Sequence, residues 1–189
     1  MIKTVFFDIG NVLIYYSNDK LHKNLTALGI DAHDTITRFT DDHNRGLFSS
    51  DEAVAMLQQQ SSRDVTNEEV RHALCDIFWL NESIIPVLAM IKEKGIRLVT
   101  LSNISEIHHR YIDATYDIFK WFDDFVMSYQ VKAIKPEAAI YQEALSKAHC
   151  LPEECFYTDD VMEFITAARS HGIAAEQYID TPLLLEKLA

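Results

Sequence analysis

The sequence predicts an α/β protein: a parallel sheet flanked by helices, with a small all-helical insert after its first strand. Two observations carry this. Thr4-Val5-Phe6-Phe7 is a short apolar run that ends in Asp8, and Gly10-Asn11 follow almost at once. Strands of a parallel sheet read as continuous apolar runs because both of their faces are covered. The second observation is a change of pattern. Residues from about 17 to 80 offer helices and no good strand, whereas strands alternate with helices further on. A helix-only stretch between two strand-bearing stretches reads as an insert in one parallel sheet.

The elements follow in order. After Leu13, Tyr15-Tyr16 lead into Ser17-Asn18, and Asn18 reads as the N-cap of a helix from about Asp19 to Leu28. Leu21, Leu25 and Leu28 share one face of it, and Gly29 stops it. Asp31 to Asn44 reads as a second, very polar helix stopped by Gly46. Ser49 or Ser50 caps a third, with Ala53, Val54, Met56 and Leu57 as its apolar face. Thr66-Asn67-Glu68-Glu69 has capping-box character and starts a fourth, with Val70, Leu74, Ile77 and Phe78 on one side. Ile84 to Lys94 is an amphipathic helix ending at Gly95, and Ile96 to Leu101 is a β-branched strand. Ser105 to about Tyr116 is helix, and Phe125 to Ser128 a short strand. Pro136 suits the first turn of a helix that runs to about Ala148. Cys155 to Thr158 is a strand ending in Asp159-Asp160, Glu163 to His171 a helix stopped by Gly172, and Ile173 to Ala175 a strand. Pro182 opens the last helix. The boundaries are a core of residues 1–16 and 81–189 and a helical cap of residues 17–80.

At 189 residues the chain is long enough for one sizeable core, and 48% hydrophobic content is that of an ordinary soluble protein. Asp and Glu outnumber Lys and Arg by 29 to 17, a net charge of −12. So acidic a chain has no electrostatic footprint for nucleic acid or for an anionic membrane surface. An anionic substrate would need a local cation, either a metal ion or a placed lysine. No apolar run has the length of a membrane span, and Met1-Ile2-Lys3 leads straight into strand, so no signal peptide is expected. Cys75, Cys150 and Cys155 are odd in number and lack paired ligand spacing. Reduced thiols and a cytoplasmic location fit that, and a zinc site does not.

Three strands end in polar residues able to meet at one edge of the sheet: Asp8, then Ser102-Asn103, then Asp159-Asp160. Ligands of open α/β sheets sit at the carboxyl ends of strands. Asp8, Asp159 and Asp160 brought together repel one another, and their pKa values rise unless a cation is present. Oxygen-only ligands suit Mg²⁺. Lys135, just before Pro136, would offset the remaining charge and bind an anionic group.

These residues carry a resemblance. Phe7-Asp8-Ile9-Gly10-Asn11-Val12-Leu13, Leu101-Ser102-Asn103, Lys135-Pro136-Glu137-Ala138-Ala139-Ile140-Tyr141 and Phe156-Tyr157-Thr158-Asp159-Asp160, with Ala167 to Ile173, stand in the order and spacing of the haloacid dehalogenase-like (HAD) hydrolases. The likeness covers essentially the whole chain. It is strongest to the sugar-phosphate phosphatases whose first motif reads Asp-x-Gly-Asn-Val. The resemblance implies a Rossmann-like sheet and an Mg²⁺-dependent phosphatase acting on a small soluble phosphate ester. Asp8 would attack phosphorus and form an aspartyl-phosphate. The Gly10 carbonyl and Asp160 would ligate Mg²⁺, and Asp159 would act through water or orient Lys135. Ser102 and Asn103 would bind phosphoryl oxygens, and Lys135 would bridge the phosphate and Asp8. Such a short set suffices, since phosphoryl transfer is mostly positioning and charge stabilisation. A monomer or homodimer is expected.

The sequence also departs from the pattern. Most phosphatases of this superfamily carry a second aspartate two residues after the nucleophile, a general acid and base; here Gly10 stands there. Either the leaving group needs little help, or the catalyst is impaired and the domain is a binding or regulatory module. Phe164 stands where the nearest branch has asparagine, and Ile134 where an arginine often precedes the lysine. A dehalogenase of this fold would leave Asp159-Asp160 without a purpose. His108-His109 read as a solvated helix face. One of Tyr15 and Tyr16 is expected to line the pocket while the other packs. Trp79, Trp121 and Phe122 read as core or cap-hinge packing, and His22, His33, His43 and Arg45 are cap residues able to meet a substrate.

Overall fold

The computed structural model describes residues 1–32 and 40–188. Its main sheet has five parallel strands in the order β5-β4-β1-β6-β7. These are β1 (Thr4–Phe7), β4 (Arg97–Ser102), β5 (Asp124–Met127), β6 (Cys155–Asp159) and β7 (Ala174–Gln177). β1 is central, with Thr4 opposite Arg97 on one side and Cys155 on the other. Its side chains alternate between two buried clusters: Val5 and Phe7 pack with Leu88, Leu98 and Phe122, and Phe6 packs with Val99, Tyr141 and Tyr157. Both faces are covered, which is why the strand reads as unbroken apolar sequence. The helices that cover them include Ile85–Glu93, Glu106–Thr115, Ala138–Ala148, Met162–Ser170 and Thr181–Leu188.

The insert opens with α1 (Asn18–Ala27), has helical residues 40–44, and continues through α2 (Ser50–Gln60) and α3 (Asn67–Cys75). Both α2 and α3 begin with full capping boxes, Ser49 with Glu52 and Thr66 with Glu69. Leu25, Val54, Leu57, Val70 and Leu74 give the insert a cluster of its own, against which Ile107 of the core packs. The middle of the expected helix from Asp31 to Asn44 lies outside the described residues. Among those described, no helix is long and apolar enough to cross a membrane.

Several expectations need correction. The stretch up to residue 80 does contain a strand. β2 (Ile14–Tyr16) pairs antiparallel with β3 (Phe78–Leu80) in a ribbon that links insert and sheet. The helix ends at Cys75, so Phe78 pairs opposite Tyr16 instead of extending a helical face. α1 is capped by Ser17, whose hydroxyl accepts from Lys20 N at 3.1 Å. Met56 is exposed, while Ala53, Val54 and Leu57 are buried. Pro136 does not open a helix. Glu137 N donates to Ile134 O at 2.8 Å, and this turn aims Lys135 inward before the helix starts at Ala138. The strand expected from Ile173 starts at Ala174 and runs to Gln177 beside Asp159.

Several polar contacts join the insert to the sheet region. Arg45 makes a two-armed ion pair with Glu137, at 2.8 and 2.5 Å. Ser128 Oγ donates to Asn44 O at 2.6 Å, and Ser50 Oγ bonds Glu106 at 3.0 Å.

Candidate active site

Asp8 directly follows β1, Ser102 ends β4, and Asp159 and Asp160 stand at the end of β6. The parallel register brings all of them to one edge. Carboxylate oxygens of Asp8, Asp159 and Asp160 lie within 4.8 Å of one another. Lys135 is fully buried among them. Its Nζ donates to Asp8 Oδ1 at 2.8 Å, Asp159 Oδ2 at 2.6 Å, Tyr157 Oη at 3.0 Å and Leu101 O at 3.2 Å. The Phe164 ring lies 4.9 Å from the same ammonium, within cation–π range.

Asn103 does not leave Lys135 to chance. Its side-chain oxygen accepts from Lys135 N at 2.7 Å, and its amide donates to Lys135 O at 3.1 Å. Asp159 is completely buried and fully engaged. It accepts from Lys135, from the Tyr157 hydroxyl in a very short bond, and from Val161 N at 2.8 Å. Asp160 is less enclosed, and its Oδ2 accepts from Asn11 Nδ2 at 2.9 Å. Asn11 adopts a left-handed backbone with φ 53°, a conformation asparagine tolerates better than most residues.

The electrostatics follow from this crowding. Burial pushes the Asp8 carboxyl up to about 7; the Asp159 charge adds to the rise, and Lys135 and Ser102 oppose it. Asp160 is also raised, mainly by burial. Burial disfavours the Lys135 charge, but Asp159 and Asp8 outweigh it and the ammonium is held above its ordinary value. One cation among three carboxylates leaves a deficit of positive charge. The donors are oxygen alone, so the group fits a small hard cation such as Mg²⁺.

Above this edge is a cavity of about 380 Å³, floored by Asp8, Gly10, Ser102, Lys135 and Asp160 and roofed by Asn18, Leu21, Thr40 and Asn44 of the insert. Tyr16 lines it, whereas Tyr15 packs on Trp79. Trp79 is half exposed on the ribbon, Trp121 packs at the edge of the core, and Phe122 is buried in it. His108 and His109 are not a solvated face. His108 lines the cavity edge-on to Phe78, and burial lowers its pKa to about 4. His109 sits among Phe119, Phe125 and Tyr129, with Nδ1 3.0 Å from the Tyr129 hydroxyl. Of the four insert residues named from sequence, His43 is buried against Phe48, Arg45 pairs with Glu137, His22 is exposed away from the cavity, and His33 lies outside the described residues. All three cysteines are free.

The sequence reading missed Tyr157, Asn11 and His108 as parts of the site. Asn11 had a signal: a turn former directly after a glycine at a strand end. Tyr157 had none, because its hydroxyl is hidden in an apolar strand. The profile of the haloacid dehalogenase-like hydrolases matches residues 2–172. The chain belongs to that family.

Relatives of this HAD-like chain can be compared in detail. It is 27% identical to D-ribitol-5-phosphate phosphatase of Bacteroides thetaiotaomicron, over 94% of this chain and 92% of the relative. It is 27% identical to a phosphorylated carbohydrates phosphatase of Thermotoga maritima, over 57% of this chain and 50% of that protein. Among solved structures, a HAD family enzyme of B. thetaiotaomicron in complex with magnesium and inorganic phosphate superposes with a TM-score of 0.85 at 22% identity, covering 94% of each chain. That likeness shows that the two share a fold.

Proposed function

We propose that this HAD-like hydrolase is an Mg²⁺-dependent phosphatase that releases phosphate from a small phosphorylated carbohydrate through an aspartyl-phosphate on Asp8. The observation that carries this is the buried Lys135 ammonium held between Asp8 and Asp159 on the floor of the cavity under the insert. The names of the curated relatives, both phosphatases of phosphorylated carbohydrates, support the substrate class.

Asp8 is the nucleophile. Its carboxylate oxygen bonds to phosphorus as the ester P–O bond breaks, and water then cleaves the acyl phosphate. Lys135 holds the attacking carboxylate and offsets charge on the phosphoryl oxygens. The Ser102 hydroxyl donates to one of those oxygens, and Asn103 keeps Lys135 in register. Asp160, Asp8 and the Gly10 carbonyl would hold Mg²⁺, which supplies positive charge against the carboxylates and the phosphoryl group. Asp159, with its oxygens engaged, serves chiefly to fix Lys135, and its remaining reach to the ion is through water. Residues 17–80 act as a cap that keeps bulk water from the acyl phosphate.

The test is phosphate release from sugar phosphates, sugar-alcohol phosphates, nucleotides and p-nitrophenyl phosphate, with Mg²⁺ and with EDTA. Mg²⁺-dependent release is expected. No release from any ester would replace this reading with that of a binding module.

Two more outcomes are expected. Asp8, raised to about 7, must lose its proton before it attacks or meets a cation. In scarce Mg²⁺, kcat/KM therefore falls as pH drops below about 7, and added Mg²⁺ moves the midpoint lower. A midpoint indifferent to Mg²⁺ would contradict this. Glu137→Ala removes the Arg45 clasp, a part-exposed pair worth up to about 1 kcal/mol, and is expected to raise KM several-fold with kcat less affected. Steady-state kinetics on the best ester of the panel would check it.

A further inference from the structure

An alkoxide leaves phosphorus poorly unless it is protonated as the bond breaks, and a positioned donor contributes about 10²–10⁴ in rate. Donors near Asp8 are few. The Lys135 ammonium is shared among Asp8, Asp159, Tyr157 and a carbonyl. The Tyr157 hydroxyl is buried on Asp159. Ser102 stands beside Asp8 and works to hold its carboxyl down. His108 lines the cavity beside Phe78, and burial keeps its ring neutral, a far weaker acid than the imidazolium.

Tyr16 is different. It ends β2, 37% exposed, and its ring folds back over the turn after Asp8. A Cβ placed on Gly10 would meet Tyr16 Cε1 at 3.2 Å and Asp8 Oδ2 at 3.7 Å. The ring edge therefore takes up the room that a side chain at position 10 would need, beside the nucleophile. Burial, with the Asp160 and Asp8 charges, holds the Tyr16 hydroxyl above its ordinary value, and Asn11, whose amide holds Asp160, opposes the rise. The phenol thus lines the cavity with its proton in place.

We propose that Tyr16 is a catalytic residue, the proton donor to the leaving oxygen of the ester. The role rests on the phosphatase reading above. As the Asp8–phosphorus bond forms, the ester P–O pair passes to the leaving oxygen, which takes the phenolic proton. The phenolate recovers a proton from the water that then cleaves the acyl phosphate, so the cycle closes without another reactant. Gly10 and Tyr16 are thus one arrangement: the missing side chain makes room for the aromatic one.

The test is Tyr16→Phe in the full chain with Mg²⁺, on p-nitrophenyl phosphate, phenyl phosphate and an alkyl ester of the panel. The variant keeps the ring and loses only a hydroxyl, and circular dichroism would confirm its fold. The kcat/KM of the alkyl ester, which reports the steps up to loss of the alcohol and not the later hydrolysis, is expected to fall by about 10²-fold or more, while that of p-nitrophenyl phosphate stays within about threefold, since nitrophenolate departs unaided. Dependence on leaving-group pKa should be shallow in the wild type and steep in the variant. Equal losses on every ester, no loss on the alkyl ester, or wild-type turnover confined to aryl esters would each overturn the role of Tyr16 while leaving the phosphatase reading intact. A wild type inactive on all esters would overturn both.

Discussion

Asp8→Asn is expected to lower phosphate release by about 10⁴-fold or more on every ester, because an amide oxygen is no nucleophile toward phosphorus. The same substitution should leave the fold in place and its thermal midpoint unchanged or raised. Burial and the Asp159 charge hold the Asp8 carboxyl up to about 7, so the folded state gains when that charge is lost. The sign can be checked by pH. A carboxyl raised in the folded state favours folding below its ordinary value near 3.9, and the advantage is lost as pH rises through about 7. Without Mg²⁺ the wild type should therefore weaken over that interval, and the Asn variant should weaken less. Release assays on the purified variant beside thermal unfolding at several pH values would test both halves. Turnover at the wild-type rate would remove Asp8 as the nucleophile.

Lys135→Met is expected to do the reverse to stability and the same to activity. It leaves Asp8 and Asp159 buried without their cation, and breaking a buried pair in this way costs about 3–5 kcal/mol. The loss should be largest at about pH 8 and smaller at about pH 5.5, where the stranded carboxyls can take up protons. Phosphate release should fall with it, since neither the nucleophile nor the phosphoryl oxygens would have a partner. Thermal unfolding at the two pH values separates this from a packing effect, which would not depend on pH. An unchanged midpoint at pH 8 would show that the ammonium does not hold the three strand ends together.

Much of the sheet edge was legible in the sequence because each strand announces its own end. An apolar run that meets Asp8, Ser102 or Asp159 can stop nowhere else, and parallel pairing then aligns those ends. Lys135 was legible for a related reason, as a lysine directly before a proline in a chain with a large acidic excess. The β2–β3 ribbon was hidden. Its strands are three residues each, and Phe78 also suits the helical spacing of Val70 and Leu74. Only the pairing across some sixty intervening residues makes them strands. Tyr157 was hidden by context, because an aromatic residue in a buried strand reads as packing until its hydroxyl is seen on Lys135. His108 was misread because helical spacing gives the face but not what covers it. Here Phe78 of the ribbon covers it.

The central place of β1 also bears on how the chain comes off the ribosome. The strand that ends in Asp8 is translated before either of its neighbours, and all of the insert follows before β4 appears. Its second neighbour, β6, arrives only after β5 and two more helices. For most of synthesis this apolar strand has one open edge or two. Contacts this distant in sequence slow folding and prolong exposure of unpaired edges. A nascent chain halted before residue 155 thus has β4 to pair with one edge of β1 and nothing yet for the other.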